Sequence, residues 1–225
     1  MHNKSEHISE IDGMRACAVF VVVIYHAFPA LLPGGFIGVD IFFVISGYLI
    51  TAQILKAVSE NRFSFQDFYS RRIKRILPAA LSVIGCTVLI TQVIYLPDDA
   101  ADVATSAIWS SFSLPNVYFW KFDDTSYFAS SSYTVPLLHY WSLGVEEQFY
   151  FVWPLMLFAL LRFFRGSALH IALAGLLLAG VVLSEYMTQV SPLKTYYLLP
   201  ARFFELLIGG MLAIVAGKIV LHARY

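Results

Sequence analysis

The sequence predicts an all-α polytopic membrane protein: a bundle of about six or seven transmembrane helices with a re-entrant or interfacial segment on its outer side. Three observations carry that prediction. Of the 225 residues, 59% are hydrophobic and 13% charged, whereas a soluble domain averages about 45–50% and about 25%. The mean hydropathy is +0.70. Apolar runs of about 20 residues, the length that crosses a bilayer, recur along the chain. This composition excludes a disordered chain and a disulfide-stapled secreted domain. Fifteen Lys and Arg balance fifteen Asp and Glu, so no net field recruits a polyanion, and no nucleic-acid partner is expected. Cys17 and Cys86 lie in apolar runs without metal or disulfide spacing and read as packed hydrophobes.

Taken in order, the expected spans are Ala16–Leu32, Gly34–Leu55, Ile76–Tyr95, Ser142–Leu161, Ser167–Ser184 and Leu198–Gly217. The first resembles a signal peptide in length, but no small-residue cleavage site follows it and further spans do, so it reads as a retained helix. Val103–Trp120 is uncharged, yet it carries five Ser/Thr, Asn116 and Pro115. Basic residues decide its status, because they concentrate on the cytoplasmic side. With the N-terminus inside and six spans, twelve of the fifteen Lys and Arg fall inside, the exceptions being Lys121, Lys194 and Arg202. A full span at 103–120 would put the acidic segment Asp123–Tyr140 inside and Arg162 and Arg165 outside. It is therefore read as re-entrant or interfacial. Ser70 and Arg165 are expected to face the cytoplasm, with Lys218 and Arg224 on the same side; Pro33, Asp98 and Ser131 face outside. No internal repeat and no soluble domain is evident, so residues 1–225 read as one membrane domain.

Ionisable groups within spans are expensive and mark function by default. Arg15 and His26 are eleven residues apart, about three helical turns, so they share a face with a rise of roughly 16 Å between them. Snorkelling of Arg15 and an interhelical hydrogen bond from His26 are the bland alternatives. Asp40 follows Gly34, Gly35 and Gly38 at the start of the second span, where it would either tune His26 or complement the helix dipole. Arg71, Arg72, Lys74 and Arg75 lie at the inner mouth of the third span. Arg72 and Arg75, at i and i+3, suit phosphate, although positive-inside anchoring also explains basic residues there. His139, Trp141, Glu146, Glu147, Gln148 and Tyr150 open the fourth span with a denser polar cluster than an interfacial belt requires. Arg202 and Glu205 are spaced to neutralise one another.

Five stretches together resemble the membrane acyltransferase-3 family of bacterial O-acyltransferases. They are Glu10-Ile-Asp-Gly-Met-Arg15-Ala with His26; Gly34-Gly-Phe-Ile-Gly-Val-Asp40 through Ile50; Phe68-Tyr-Ser-Arg71-Arg72-Ile-Lys-Arg75-Ile-Leu-Pro78-Ala; His139-Tyr-Trp-Ser-Leu-Gly-Val-Glu146-Glu-Gln148-Phe-Tyr150; and Arg202-Phe-Phe-Glu205-Leu-Leu-Ile-Gly209. They follow in family order across residues 10–209. The resemblance implies transfer of an acyl group, commonly acetyl, from cytoplasmic acyl-coenzyme A (acetyl-CoA) to a hydroxyl of an extracytoplasmic glycan such as lipopolysaccharide, peptidoglycan or exopolysaccharide. It implies roles for Arg15, His26, Arg72 and Arg75, and matches Glu146 to the acid of the fourth-span motif. Family members have about ten spans, so the chain reads as incomplete at its C-terminus.

The expected enzyme is thus a multi-pass O-acyltransferase of the inner (cytoplasmic) membrane with a cytoplasmic N-terminus, no metal and no bound cofactor. His26, Glu146 and Asp40 are the expected catalytic groups. Arg15, Arg71, Arg72 and Arg75 bind the donor, and His139, Trp141, Gln148, Arg202 and Glu205 support the site. The rivals are a transporter of glycan precursor or protons, against which the lack of inverted repeats and broken-helix pairs counts, and an inactive truncated membrane protein.

Overall fold

The computed structural model describes residues 9–122 and 134–222, with side chains through Gly217. Asp123, Ser131 and Arg224 lie outside the described residues, as does the side chain of Lys218. The elements are α1 (Ser9–Ala27), α2 (Ile37–Ser59), α3 (Phe65–Ile94), α4 (Pro97–Ser111), α5 (Pro115–Lys121), α6 (Tyr140–Phe163), α7 (Ser167–Val190), α8 (Pro192–Tyr197) and α9 (Leu199–His222), and no strand occurs among the described residues. Four stretches are long and apolar enough to cross a membrane: α2, α3, α7 and Pro192–Gly217. The two other expected spans are also helical, as α1 and α6. α1 carries Glu10, Asp12 and Arg15, and α6 carries Glu146, Glu147 and Arg162. The chain is an all-α, multi-pass membrane protein. It divides into two compact units, one of residues 1–55 and 205–225, the other of residues 56–204.

In the first unit, α1 stops at Ala27, short of the apolar run that continues to Leu32. Pro29 and Pro33 explain this: each lacks an amide proton and disfavours helix at the residue before it. Residues 28–36 turn the chain, and α2 returns along α1. A Cβ on Gly35 would meet the Tyr25 side chain and the Val21 carbonyl at 2.7 Å, and one on Gly38 would crowd the Ala18 carbonyl. Elsewhere on α2, Gly47 lies against the backbone of Leu206 in α9, and Gly209 of α9 lies against the backbone of Val44 and Tyr48. With no hydrophobic drive between helices in lipid, such glycines let backbones approach and pack. Gly209→Leu would place its side chain into the α2 backbone, which cannot yield as a flexible side chain does. It is expected to destabilise the protein by about 1–3 kcal/mol, read as a lower midpoint of thermal unfolding in detergent. An unchanged midpoint would contradict this packing.

In the second unit, the Ser64 hydroxyl caps α3 by accepting from the Asp67 amide. α3 and α6 run antiparallel. The Phe65 and Phe158 rings are 5.3 Å apart, the Tyr69 hydroxyl donates to the Phe151 carbonyl at 2.9 Å, and the Tyr140 hydroxyl donates to the Ala80 carbonyl at 3.0 Å. α3 therefore continues past the start of α6, and α4 packs along that extension. Trp141, Phe149, Trp153, Phe119 and Tyr197 are fully buried and form the aromatic heart of this unit.

Residues 103–120 are not one span. The helix breaks at Phe112–Leu114, where Ser113 takes φ +61°. Pro115 starts α5, withholding its amide and disfavouring helix at Leu114. α5 then folds back along α4: the Trp109 ring is 6.3 Å from that of Tyr118 and 5.6 Å from that of Phe122, and the Tyr118 hydroxyl donates to the Asp102 carbonyl at 3.5 Å. This is a hairpin that doubles back, the geometry of a re-entrant element. The break was hidden because Ser, Thr and Asn spread the polarity evenly along the run.

Candidate active site

The hairpin tip lies at a cleft of about 670 Å³ between α3 and α6, whose lining includes Arg72, Ile76, Leu77, Ser113, Glu147 and Tyr150. The size suits a small-molecule site, and most of the wall is apolar. Arg72 is half-buried, with its guanidinium 5.0 Å from the centre of the Tyr150 ring and 5.9 Å from that of Phe68. Such stacking holds the planar fork at the mouth of the cleft. The Tyr150 hydroxyl in turn donates to the Glu146 carboxylate, which is buried at 6% exposure. Both residues lie on α6 at i and i+4. Arg72, Tyr150 and Glu146 form one supported series, in which Glu146 stands behind the tyrosine while Glu147 lines the cleft.

The hairpin tip is fastened to α6. Gln148 Nε2 donates to the Ser113 carbonyl at 3.0 Å and to Asn116 Oδ1 at 2.8 Å. Asn116, fully buried, donates to the Tyr197 carbonyl at 3.1 Å. Irregular backbone at this depth requires such partners. Gly144 accommodates Pro115 and the Asn116 side chain. Gln148, expected from sequence to support the site, fastens the hairpin tip to α6; Ser113 and Tyr69 were not singled out from sequence, Asn116 was noted only for its polarity, and Glu147 only as a member of the polar cluster. The i, i+4 pair of Glu146 and Tyr150 was legible there; the reach of Asn116 to residues 32 and 81 positions away was not.

Arg72 and Arg75 do not share one surface. Arg75 is exposed and lines a shallower groove with Tyr140 and His139, and Arg71 is exposed. Arg202 lies over Tyr196 at 5.0 Å and Trp141 at 5.8 Å from the ring centres, and its Nε donates to the Tyr196 carbonyl at 3.2 Å. That packing ties α9 to α8 and α6.

The other expected groups belong to the first unit. Arg15, in α1, has its guanidinium 5.2 Å from the centre of the Phe42 ring and 3.9 Å from Asp12. His26 is exposed in the last turn of α1, and its Nδ1 is 2.9 Å from the Val22 carbonyl. A carbonyl only accepts, so Nδ1 donates, which in a neutral imidazole puts the lone pair on Nε2. Asp40, half-buried in the first turn of α2, falls in register between the levels of His26 and Arg15. Glu205 is buried in α9 at 5% exposure.

Comparison with known proteins adds to this geometry. The family model described as an acyltransferase domain, of the acyltransferase-3 type, matches residues 8–219. The YrhL protein of Bacillus subtilis strain 168 is 41% identical over 222 residues, covering 96% of this chain and 35% of its own length. The peptidoglycan O-acetyltransferase OatA of Listeria monocytogenes is 38% identical, covering 93% of this chain and 34% of its own. The O-acetyltransferase OatA of Staphylococcus aureus is 34% identical, with 93% and 35% covered. The chain thus spans about a third of the length of these relatives. No solved structure matches it. A family model that runs through the arginine cleft, the histidine helix and the hairpin alike places this chain in the membrane acyltransferase-3 family.

Proposed function

We propose that this membrane domain transfers an acetyl group from acetyl-CoA to a sugar hydroxyl of peptidoglycan. The observation that carries the reading is Arg72, held over Tyr150 at one end of a largely apolar cleft in a chain of this family. A guanidinium beside apolar walls suits a donor that joins phosphates to a long thioester arm. Arg71 and Arg75 add positive charge on the same helix, and Arg15 steadies the donor's charge. The acceptor follows from the Listeria relative, whose name specifies peptidoglycan. The protein resides in the cytoplasmic membrane with its N-terminus inside, in keeping with the charge distribution.

The chemistry is assigned to His26. Its Nε2 removes the proton of the sugar hydroxyl as the oxygen attacks the thioester carbonyl. The C–O bond forms, the C–S bond breaks, and the thiolate of coenzyme A leaves and takes up the proton. Asp40, on the neighbouring helix, favours the imidazolium that forms. Glu146 keeps Tyr150 and hence Arg72 in place. The test is turnover by the purified chain in lipid nanodiscs. Free thiol is expected to accumulate from acetyl-CoA in the presence of a glycan acceptor; a well-folded chain that releases none refutes the reading.

A further inference from the structure

A second cavity of about 670 Å³ lies where α3 ends and α4 begins, lined by Tyr95, Asp99, Asp102, Ser106, Tyr118 and Phe122 among others. Tyr95 is 23 residues beyond Arg72 on the same long helix and its C-cap, a rise of roughly 34 Å, or about the hydrocarbon thickness. The cavity and the arginine cleft are therefore at opposite ends of α3. Its walls are held by backbone acceptors: the Tyr95 hydroxyl donates to the Thr134 carbonyl at 3.1 Å, and the Tyr118 hydroxyl donates to the Asp102 carbonyl at 3.5 Å. Asp99, Asp102 and Ser106 follow one another at i, i+3 and i+7, one face of α4. Both carboxylate residues are exposed. The helix dipole accounts for Asp99, in the first turn of α4, but does not account for Asp102, which lies beyond it.

We propose that this cavity binds a neutral sugar unit of the glycan acceptor. Two carboxylates accept hydrogen bonds from sugar hydroxyls, and the rings of Tyr95, Tyr118 and Phe122 receive the apolar C–H face of a pyranose. The same carboxylates repel a polyphosphate, so the cavity selects acceptor over donor by charge. The assignment of the sugar as an acceptor rests on the acyl-transfer reading; the binding itself does not.

The experiment is calorimetric titration of the full chain in nanodiscs with two tetrasaccharides, neutral tetra-N-acetylchitotetraose and a heparin-derived sulfated one. The wild type is expected to bind the neutral sugar and discriminate against the sulfated one. Asp99→Asn with Asp102→Asn should weaken binding of the neutral sugar about tenfold, through two charge-assisted hydrogen bonds reduced to neutral ones, and narrow the discrimination. Asp102→Asn alone, beyond the helix's first turn, should do part of both. Failure of the wild type to bind the neutral sugar, equal binding of both sugars, or a double variant indistinguishable from wild type would each overturn the proposal. Acetyl-CoA titrated into the same samples separates the two readings. Donor binding without sugar binding removes the cavity and leaves acyl transfer standing, whereas sugar binding without donor binding sustains the cavity and removes acyl transfer.

Discussion

His26→Gln is expected to lower acyl transfer by about 10²–10⁴-fold, the range attributed to a positioned general base, while the protein still accumulates in the membrane. Glutamine keeps the size and the capacity to donate to the Val22 carbonyl, which the Nδ1 of His26 reaches at 2.9 Å, but offers no basic nitrogen near neutral pH. A purely structural histidine predicts the reverse, a lower protein level with the surviving molecules active. Quantitative immunoblotting of membranes together with transfer per folded molecule decides between them. Transfer near the wild-type rate would remove His26 from the chemistry.

Arg72→Ala is expected to weaken acetyl-CoA binding about 10- to 100-fold, corresponding to about 1.5–3 kcal/mol for a hydrogen bond to a charged group. Arg72→Lys should recover only part of that loss. Lysine retains the charge but not the planar fork that lies 5.0 Å from the Tyr150 ring centre. Positive-inside anchoring alone predicts that lysine serves fully. Arg75→Ala should cost less than Arg72→Ala, because Arg75 lines a shallower groove away from the cleft. Equilibrium binding of acetyl-CoA to the purified variants checks the order. Equal affinity of Arg72→Lys and wild type would favour anchoring.

Local chemistry was legible in the sequence, and long-range packing was not. Hydropathy located the six long helices, because burial in lipid acts residue by residue, and the basic cluster at 71–75 marked the start of α3's apolar part. The end of α1 was blurred because Phe28–Leu32 continues the apolar run through prolines that stop the helix. Asn116 looked like one polar residue in a doubtful span. Its worth lies in Gln148 and Tyr197, which only the hairpin brings to it. Gly47 and Gly209 likewise show nothing until α2 and α9 are seen with their backbones in contact. Arg72 and Arg75 were paired by spacing, yet α6 and the hairpin tip divide the surface around α3 into two grooves.

The most direct test of acyl transfer follows the acetyl group itself. Purified protein in nanodiscs is supplied with isotope-labelled acetyl-CoA and tetra-N-acetylchitotetraose, and the sugar is analysed by mass spectrometry after the reaction. The expected result is a labelled, base-labile acetyl ester on the sugar, matched by free thiol, nearly abolished in the His26→Gln variant and reduced at sub-saturating donor in Arg72→Ala. Unlabelled sugar and intact donor, with folded protein that withstands the incubation, would contradict the account.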